Sequence, residues 1–286
     1  MFIQILIAIL FGIVEGITEW LPVSSTGHII LLKAFCPPDI SKDFYDFFEI
    51  VIQLAAIMAV VVMFFHKLNP FSPKKDTLQK KNTWNLWFKV VVAVLPSAVI
   101  GFLVDDPLDL FLRGMPVWGT DLNTIVVAAA LIIYGVFFIL LERQKDKTFR
   151  IQAVEEIDYK TAIFIGMFQC LSIIPGTSRS GATILGAILL GVSRPAGAEF
   201  SFFLAIPTML GAGALKLLDY VKTGVSATTT EIVFLVVSCV VAFVVSLLTI
   251  KGLMEYVRKH SFSSFGIYRI AIGIFVIGYF AGSYFL

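Results

Sequence analysis

The chain has 286 residues, of which 58% are hydrophobic and only 15% charged, with a net charge of +2. A water-soluble domain sits at about 45–50% apolar and about 25% charged, so the composition excludes one and predicts a multi-pass membrane protein. No basic tract or zinc-type spacing points to nucleic acid, and three dispersed cysteines (Cys36, Cys170, Cys239) make no disulfide framework.

A spanning helix needs about 20 mostly apolar residues. The first apolar region, 2–35, has no basic flank and no small-residue cleavage site, which predicts that it stays in the mature protein. It is broken at Leu21-Pro22-Val23-Ser24-Ser25. Proline removes a backbone donor, and the serines beside it favour a turn. Spans are predicted next at about 46–66, 84–104 and 124–141. A second broken region, 161–192, is interrupted at Pro175-Gly176-Thr177-Ser178-Arg179-Ser180-Gly181. Further spans are predicted at about 200–218, 231–250 and 265–285. Non-helical backbone survives at membrane depth only where protein or a wet cavity surrounds it.

Shifting the first broken region by 154 residues brings Gly12 onto Gly166, Glu15 onto Gln169, Ser24 onto Ser178 and Gly27 onto Gly181. Ile30 and Leu31 then meet Ile184 and Leu185. The pattern predicts an all-α polytopic fold with an inverted-topology repeat, each half a broken re-entrant helix pair plus three transmembrane helices. One integral membrane domain would cover 1–286, with repeat 1 at about 1–150 and repeat 2 at about 151–286. Loop charges agree with this. Lys67, Lys74, Lys75, Lys80 and Lys81 against Asp76 give loop 67–83 a net +4, and Lys251, Arg258 and Lys259 against Glu255 give loop 251–264 a net +2. Arg113 against Asp105, Asp106, Asp109 and Asp121 gives loop 105–123 a net −3. The positive-inside rule then sets the first two in the cytoplasm and the third outside. Loop 142–160, with five basic and five acidic residues, is cytoplasmic in this scheme. Both termini lie outside, and the two turns meet near the midplane.

Glu15 and Glu19, four apart, share one helix face. An acid at bilayer depth costs about 2.5–3.5 kcal/mol. The bland reading solvates the pair at the interface or protonates it. The sharper one turns it into a polar cavity, to bind a divalent metal, orient a base or position water. His28 lies among these acids and the hydroxyls of Ser24, Ser25 and Thr26, and its ordinary pKa of about 6.5 suits proton transfer. His66 and His260 lack that company and read as interfacial. Arg179 reads as the only arginine inside a long apolar stretch, either a partner for Glu15 or Glu19 or a bidentate phosphate ligand. Gly176, Ser178, Ser180, Gly181 and Thr183 surround it where a helix should begin, which makes an anion site. Facing two acids and a histidine, this looks like a site for breaking a phosphate bond. Glu49 and Gln53, four apart in the next helix, line the same cavity or sit at a helix end. Arg194 and Glu199 are expected to form a structural ion pair. Inverted repeats with broken helices also mark transporters.

"EGITEWLPVSSTGH" at 15–28 and "PGTSRSGAT" at 175–183 resemble the two signature motifs of the bacterial undecaprenyl pyrophosphate phosphatase family, the bacitracin-resistance type. "FFEIVIQLAAI" at 47–57 and "GVSRPAGAEFSFFLAIP" at 191–207 are similar to that family too, so the likeness covers essentially the whole chain. It implies a hydrolase of the bacterial inner membrane that releases one phosphate from undecaprenyl diphosphate. The product is the monophosphate carrier lipid used for peptidoglycan. By the resemblance the acidic pair is Glu15 and Glu19, the serine and histidine are Ser25 and His28, and the phosphate-binding arginine is Arg179. It implies a divalent cation, Mg²⁺ or Ca²⁺, with Glu15 and Glu19 as its ligands, and competition by bacitracin for the lipid. Ser24, Thr26, Gly176, Ser178, Ser180, Thr183, Glu49 and Gln53 are the expected substrate contacts. Glu19 and His28 would manage protons, with either Ser25 or an activated water attacking phosphorus. The site would open outward, to the periplasm. A homodimer stays open. A second lipid-phosphatase family also carries an SR motif, but it needs a histidine soon after, and none follows Arg179 until His260. The alternative function is a polyprenyl-phosphate flippase or ion-coupled carrier.

Overall fold

In hydrocarbon every backbone N–H and C=O needs an internal partner, and a helix is the local way to supply them all. The computed structural model, which describes residues 1–117, 120–143, 149–223 and 227–285, is accordingly helical along most of its length. In chain order the helices are α1 (Phe2–Thr18), α2 (Ser25–Phe35), α3 (Lys42–Met63), the single turn α4 (Phe65–Leu68), α5 (Thr77–Arg113), α6 (Leu122–Glu142), α7 (Tyr159–Gln169), α8 (Arg179–Leu189), α9 (Arg194–Thr223), α10 (Thr229–Lys259) and α11 (Ser263–Phe285). Short 3₁₀ turns fill Val154–Glu156 and Cys170–Ile173, and a two-residue hairpin pairs Pro116–Val117 with Thr120–Asp121.

Six helices, α3, α5, α6, α9, α10 and α11, are long and apolar enough to cross a membrane, so the chain is a multi-pass membrane protein as its composition predicts. Three of them overrun their expected ends, and α9 passes its expected 200–218 on both sides. α5 extends through 105–113 of the loop read as 105–123, and α10 runs to Lys259, through most of the loop read as 251–264. Charges end an apolar run but not a helix, because water in the interface tolerates both. α5 starts on a capping box, with Asp76 accepting from the Gln79 amide at 2.7 Å. Part of loop 142–160, at 144–148, lies outside the described residues.

α2 and α8 each contain eleven residues and begin 154 positions apart. The residue before each is a serine with φ of +70°, and among the described residues these two are the only non-glycine positions with positive φ. Such backbone costs about 1–3 kcal/mol per residue.

Close helix approach organises the packing. A Cβ at Gly12 would lie 2.7 Å from the Ser238 carbonyl on α10, and one at Gly166, 154 residues on, would overlap the Ala93 carbonyl on α5. Small residues let membrane helices approach this closely. Phe11, Phe48 and Phe234 form an edge-on cluster joining α1, α3 and α10. α8 lies at the centre, buried without a break from Ser180 to Ile188, against α7 and α9.

The ion pair expected between Arg194 and Glu199 is not formed. Five residues apart on a helix, they point about 140° away from each other. Arg194 pairs with Glu142 at the end of α6, and Glu199 with Lys67 at 2.7 Å. Lys67 also holds Glu155 at 2.7 Å. All three cysteines are free, as expected.

Candidate active site

The first turn begins where Pro22 prevents α1 from continuing. Glu15 lies on the last turn of α1, and Glu19 is its C-cap, with the Glu19 amide still bonded to the Glu15 carbonyl at 3.0 Å. Both side chains are buried, at 2% and 6% exposure. The second turn ends on Ser178, whose Oγ accepts from the Gly181 amide at 3.1 Å and so caps α8. Arg179 follows as the first helical residue.

The two turns meet through one carboxylate. Glu19 Oε2 accepts from Ser25 Oγ at 3.0 Å, and Glu19 Oε1 accepts from Arg179 Nη2 at 3.2 Å. Arg179 Nη1 donates to the Ser201 carbonyl at 2.9 Å, while its Nε is buried without a partner among the described residues. Ser180 Oγ lies 3.2 Å from the Glu19 carbonyl and 3.2 Å from Ser178 Oγ. The helix dipole favours a cation at a C-terminus and an anion at an N-terminus. Here the acid caps the C-terminus of α1 and the guanidinium opens α8. Each charge sits at the less favourable helix end, and each is compensated by the other. Local rules broken in this way concentrate at functional sites.

His28 stands slightly apart. Its Nδ1 lies 2.7 Å from the Ser24 carbonyl, which can only accept, so Nδ1 carries the proton. In the neutral ring Nε2 then accepts from Tyr268 on α11, at 2.8 Å. The histidine is thus held at both nitrogens, and the group on Ser25 is Glu19.

Other expected contacts divide. Ser24 Oγ is buried beside the site, without a partner among the described residues. Glu49 is within electrostatic reach of Glu15, and Gln53 is one turn further along the same helix, half-buried. Thr26 is exposed. Thr183 is fully buried and bonds Ser201 Oγ at 2.6 Å, which ties α8 to α9. Gly176 offers its carbonyl to Arg269 at 2.9 Å.

That last residue corrects the reading of Arg179 as the only arginine in a long apolar stretch. Arg269, in α11, is fully buried. Its Nη1 donates to the Pro22 carbonyl at 3.0 Å, and its Nη2 to the carbonyls of Gly176 and Thr177 at 2.9 and 3.0 Å. The signal was a lone charge within "FGIYRIAIGIF" at 265–275. Tyr268, beside it, was missed for lack of any charge.

A divalent cation fits these residues in a limited way. Among the described residues no group of three His, Cys, Asp or Glu side chains is arranged to hold one. Glu15 Oε1, however, is buried with no hydrogen-bond partner among the described residues. Mg²⁺ commonly takes one or two carboxylates, with substrate phosphates and water completing its shell, and Glu15 with Glu19 suits that arrangement.

Known proteins match the chain along nearly its whole length. The profile of bacitracin resistance protein BacA matches residues 8–275. The chain is 53% identical to the undecaprenyl-diphosphatase of Lactiplantibacillus plantarum, over 96% of both chains. It is 52% identical to that of Enterococcus faecalis, over 95% of this chain and 96% of the other. It is 53% identical to undecaprenyl-diphosphatase 1 of Clostridioides difficile, over 97% of both.

Proposed function

The chain belongs to the bacitracin resistance protein BacA family, and we propose that it hydrolyses undecaprenyl diphosphate to undecaprenyl phosphate and inorganic phosphate, recycling the carrier lipid of cell-wall synthesis. The observation that carries this reading is the shared carboxylate, with a hydroxyl of the first turn on one Glu19 oxygen and a guanidinium of the second on the other.

In this scheme Arg179, Ser178, Ser180 and the amides opening α8 hold the diphosphate. Ser24 Oγ offers a further contact. Ser25 Oγ attacks the terminal phosphorus, and its proton passes to Glu19. The bond from phosphorus to the bridging oxygen breaks, and undecaprenyl phosphate leaves with the electron pair. Arg179 stabilises the charge that develops on the phosphoryl oxygens. Water then cleaves the phosphoserine, and inorganic phosphate leaves. His28, held by Ser24 and Tyr268, passes protons at the edge of the site. The competing variant has water attack phosphorus directly, with Glu19 as its base. Glu15 and Glu19 would hold a divalent cation, Mg²⁺ or Ca²⁺, which supplies further neutralisation of phosphoryl charge when bound.

The two halves are read as inverted repeats, the first broken pair entering from outside, so that the site opens to the periplasmic face of the inner membrane. The matched eleven-residue helices 154 positions apart, the matched serines before them and the loop charges support this. The prenyl tail stays in lipid, and bacitracin competes for the same substrate.

The test is phosphate release from a polyprenyl diphosphate by purified protein, with and without Mg²⁺ or Ca²⁺, beside Glu19→Gln and Arg179→Ala. Metal-stimulated release that both variants abolish is the expected result. Folded protein that binds the lipid but releases no phosphate would replace the hydrolase with a carrier.

A further inference from the structure

Arg269 and Arg179 are both buried within membrane-spanning protein, but their charges are handled differently. Arg179 faces a carboxylate. Arg269 is surrounded by backbone carbonyls from three elements: Pro22 in the first turn, Gly176 and Thr177 in the second, and Leu131 of α6, whose oxygen is 3.5 Å from Nε. Among the described residues no carboxylate pairs with it. Its guanidinium carbon also stands 5.6 Å from the ring centre of Tyr134.

A neutral amide, with two N–H groups, could reach only two of these four carbonyls, and the guanidinium fork reaches them all. Burying an ion instead carries a heavy desolvation penalty, which the dipoles of carbonyl groups offset only in part. The fold nonetheless makes room for this cation. A Cβ at Gly181 would come within 3.1 Å of Arg269 Nη1 and 3.2 Å of Ser178 Cβ, so the glycine in "SRSGAT" leaves space beside the guanidinium.

We propose that Arg269 is a positioning residue for the diphosphate. It ties the two turns together through their carbonyls, and it leaves behind them a full positive charge that the substrate's phosphates neutralise without touching it. The proposal rests on the phosphatase reading and extends it to a second cation. Arg179 makes the contact, and Arg269 sets the register of the turns and the potential of the space between them. Preorganised charge in a site shielded from water is effective because nothing has to reorient when the substrate's charge arrives.

The experiment uses the purified full chain as wild type, Arg269→Lys, Arg269→Gln and Arg179→Ala. Each is assayed for phosphate release from a polyprenyl diphosphate, for calorimetric binding of methylenediphosphonate, and for thermal unfolding. Arg269→Gln is expected to weaken methylenediphosphonate binding about tenfold or more, the scale of one charge acting over a short distance at low effective dielectric. Arg269→Lys, which keeps the charge and loses the fork, should restore that binding but recover only part of kcat. Equal losses in Lys and Gln variants, tracking the fall in thermal midpoint, would overturn the proposal and leave a structural clamp. Wild-type binding in Arg269→Gln would also overturn it.

If Arg269→Gln does not fold, Arg269→Lys carries the test alone. It keeps the charge and loses the fork, so kcat should fall with methylenediphosphonate affinity held within about twofold, a change too small for a lost charge. A matching loss of affinity would count against the charge. Failure of the phosphatase reading looks different, since wild type itself would then release no phosphate, while the binding comparison would still judge Arg269.

Discussion

The two turns have the same backbone and opposite chemistry. Ser24 and Ser178 share a φ of +70°, and each precedes an eleven-residue helix. At the position after the strained serine one turn has Ser25 and the other Arg179. At the preceding polar position one has Glu15 and the other Gln169, and His28 is matched by Ala182. Surroundings differ too. α8 is buried continuously from Ser180 to Ile188, whereas α2 buries only Gly27, Ile29 and Leu31. Ser178 caps its helix, whereas the Ser24 side chain caps nothing. The second turn is an anchored anion holder. The first is less encumbered and carries the acids, the hydroxyls and the histidine. Dividing the labour in this way keeps the guanidinium fixed while the reacting groups remain reachable.

The largest effects should come from cutting the link between the turns. Glu19→Gln and Arg179→Ala are each expected to lower kcat/KM by about a thousandfold or more. Arg179→Ala should also destabilise by about 3–5 kcal/mol, because an acid is left buried without its partner. The double variant should be no less active than the worse single one. Multiplying losses in phosphate release would mean that the two turns act independently.

Next is Ser25→Ala, expected to reduce turnover by about 10²–10⁴-fold, the range for losing a group that takes part in bond making or proton transfer. Calorimetric binding of methylenediphosphonate should persist. Unchanged turnover would transfer the attack to water. Gln169→Glu probes the other turn at the counterpart of Glu15. Gln169 is buried, with Nε2 donating to Ser97 Oγ at 2.6 Å and its Oε1 without a partner among the described residues. An acid there should destabilise by about 2.5–3.5 kcal/mol without raising phosphate release. Tolerance of the charge would mean that the second turn, too, opens to water.

Smaller effects refine the capping difference. Ser178→Ala should cost about 1 kcal/mol in thermal unfolding through loss of its cap. Ser24→Ala, with no cap to lose and a buried hydroxyl removed that has no partner among the described residues, should leave stability unchanged or slightly raised. Equal shifts would remove that difference between the turns. The smallest effect lies on the Lys67 cluster, outside both. Burial raises the Glu155 pKa, but the Lys67 hydrogen bond and charge outweigh it and hold the group below its ordinary value. Its contribution is therefore present above the unfolded carboxylate pKa and is lost as pH falls through the lower folded value. Glu155 is half exposed, so the contribution is a few tenths of a kcal/mol. The stability gap between wild type and Glu155→Gln should be flat near neutral pH and close as the solution is acidified. A gap that widens in acid would contradict that sign.

Much of this was legible in the chain itself. Apolar length announces six spans, and Pro22 and Pro175 announce the two breaks. The offset of 154 that aligns Ser24 with Ser178 also aligns the starts of α2 and α8. Helix ends were less legible, because α5 and α10 continue past their apolar runs into charged sequence. Pairing was least legible. Arg194 and Glu199 are close in sequence but diverge around a helix, and Arg269 joins turns that lie 247 and 93 residues away. Spacing reports neighbours on one helix. It carries no information on which carbonyls a distant guanidinium will find.

The position of Arg269 also sets an order of assembly. During synthesis the first turn is made 247 residues before the arginine that grips its Pro22 carbonyl. Glu15 and Glu19 enter the bilayer while Arg179 and Arg269 are still untranslated. Until α8 inserts, the growing chain holds two intramembrane acids with neither cation in reach, and Arg179 then meets Glu19 before Arg269 is made. The site is therefore completed in two steps, the second when the last helix docks against α6 and its guanidinium closes on both turns at once.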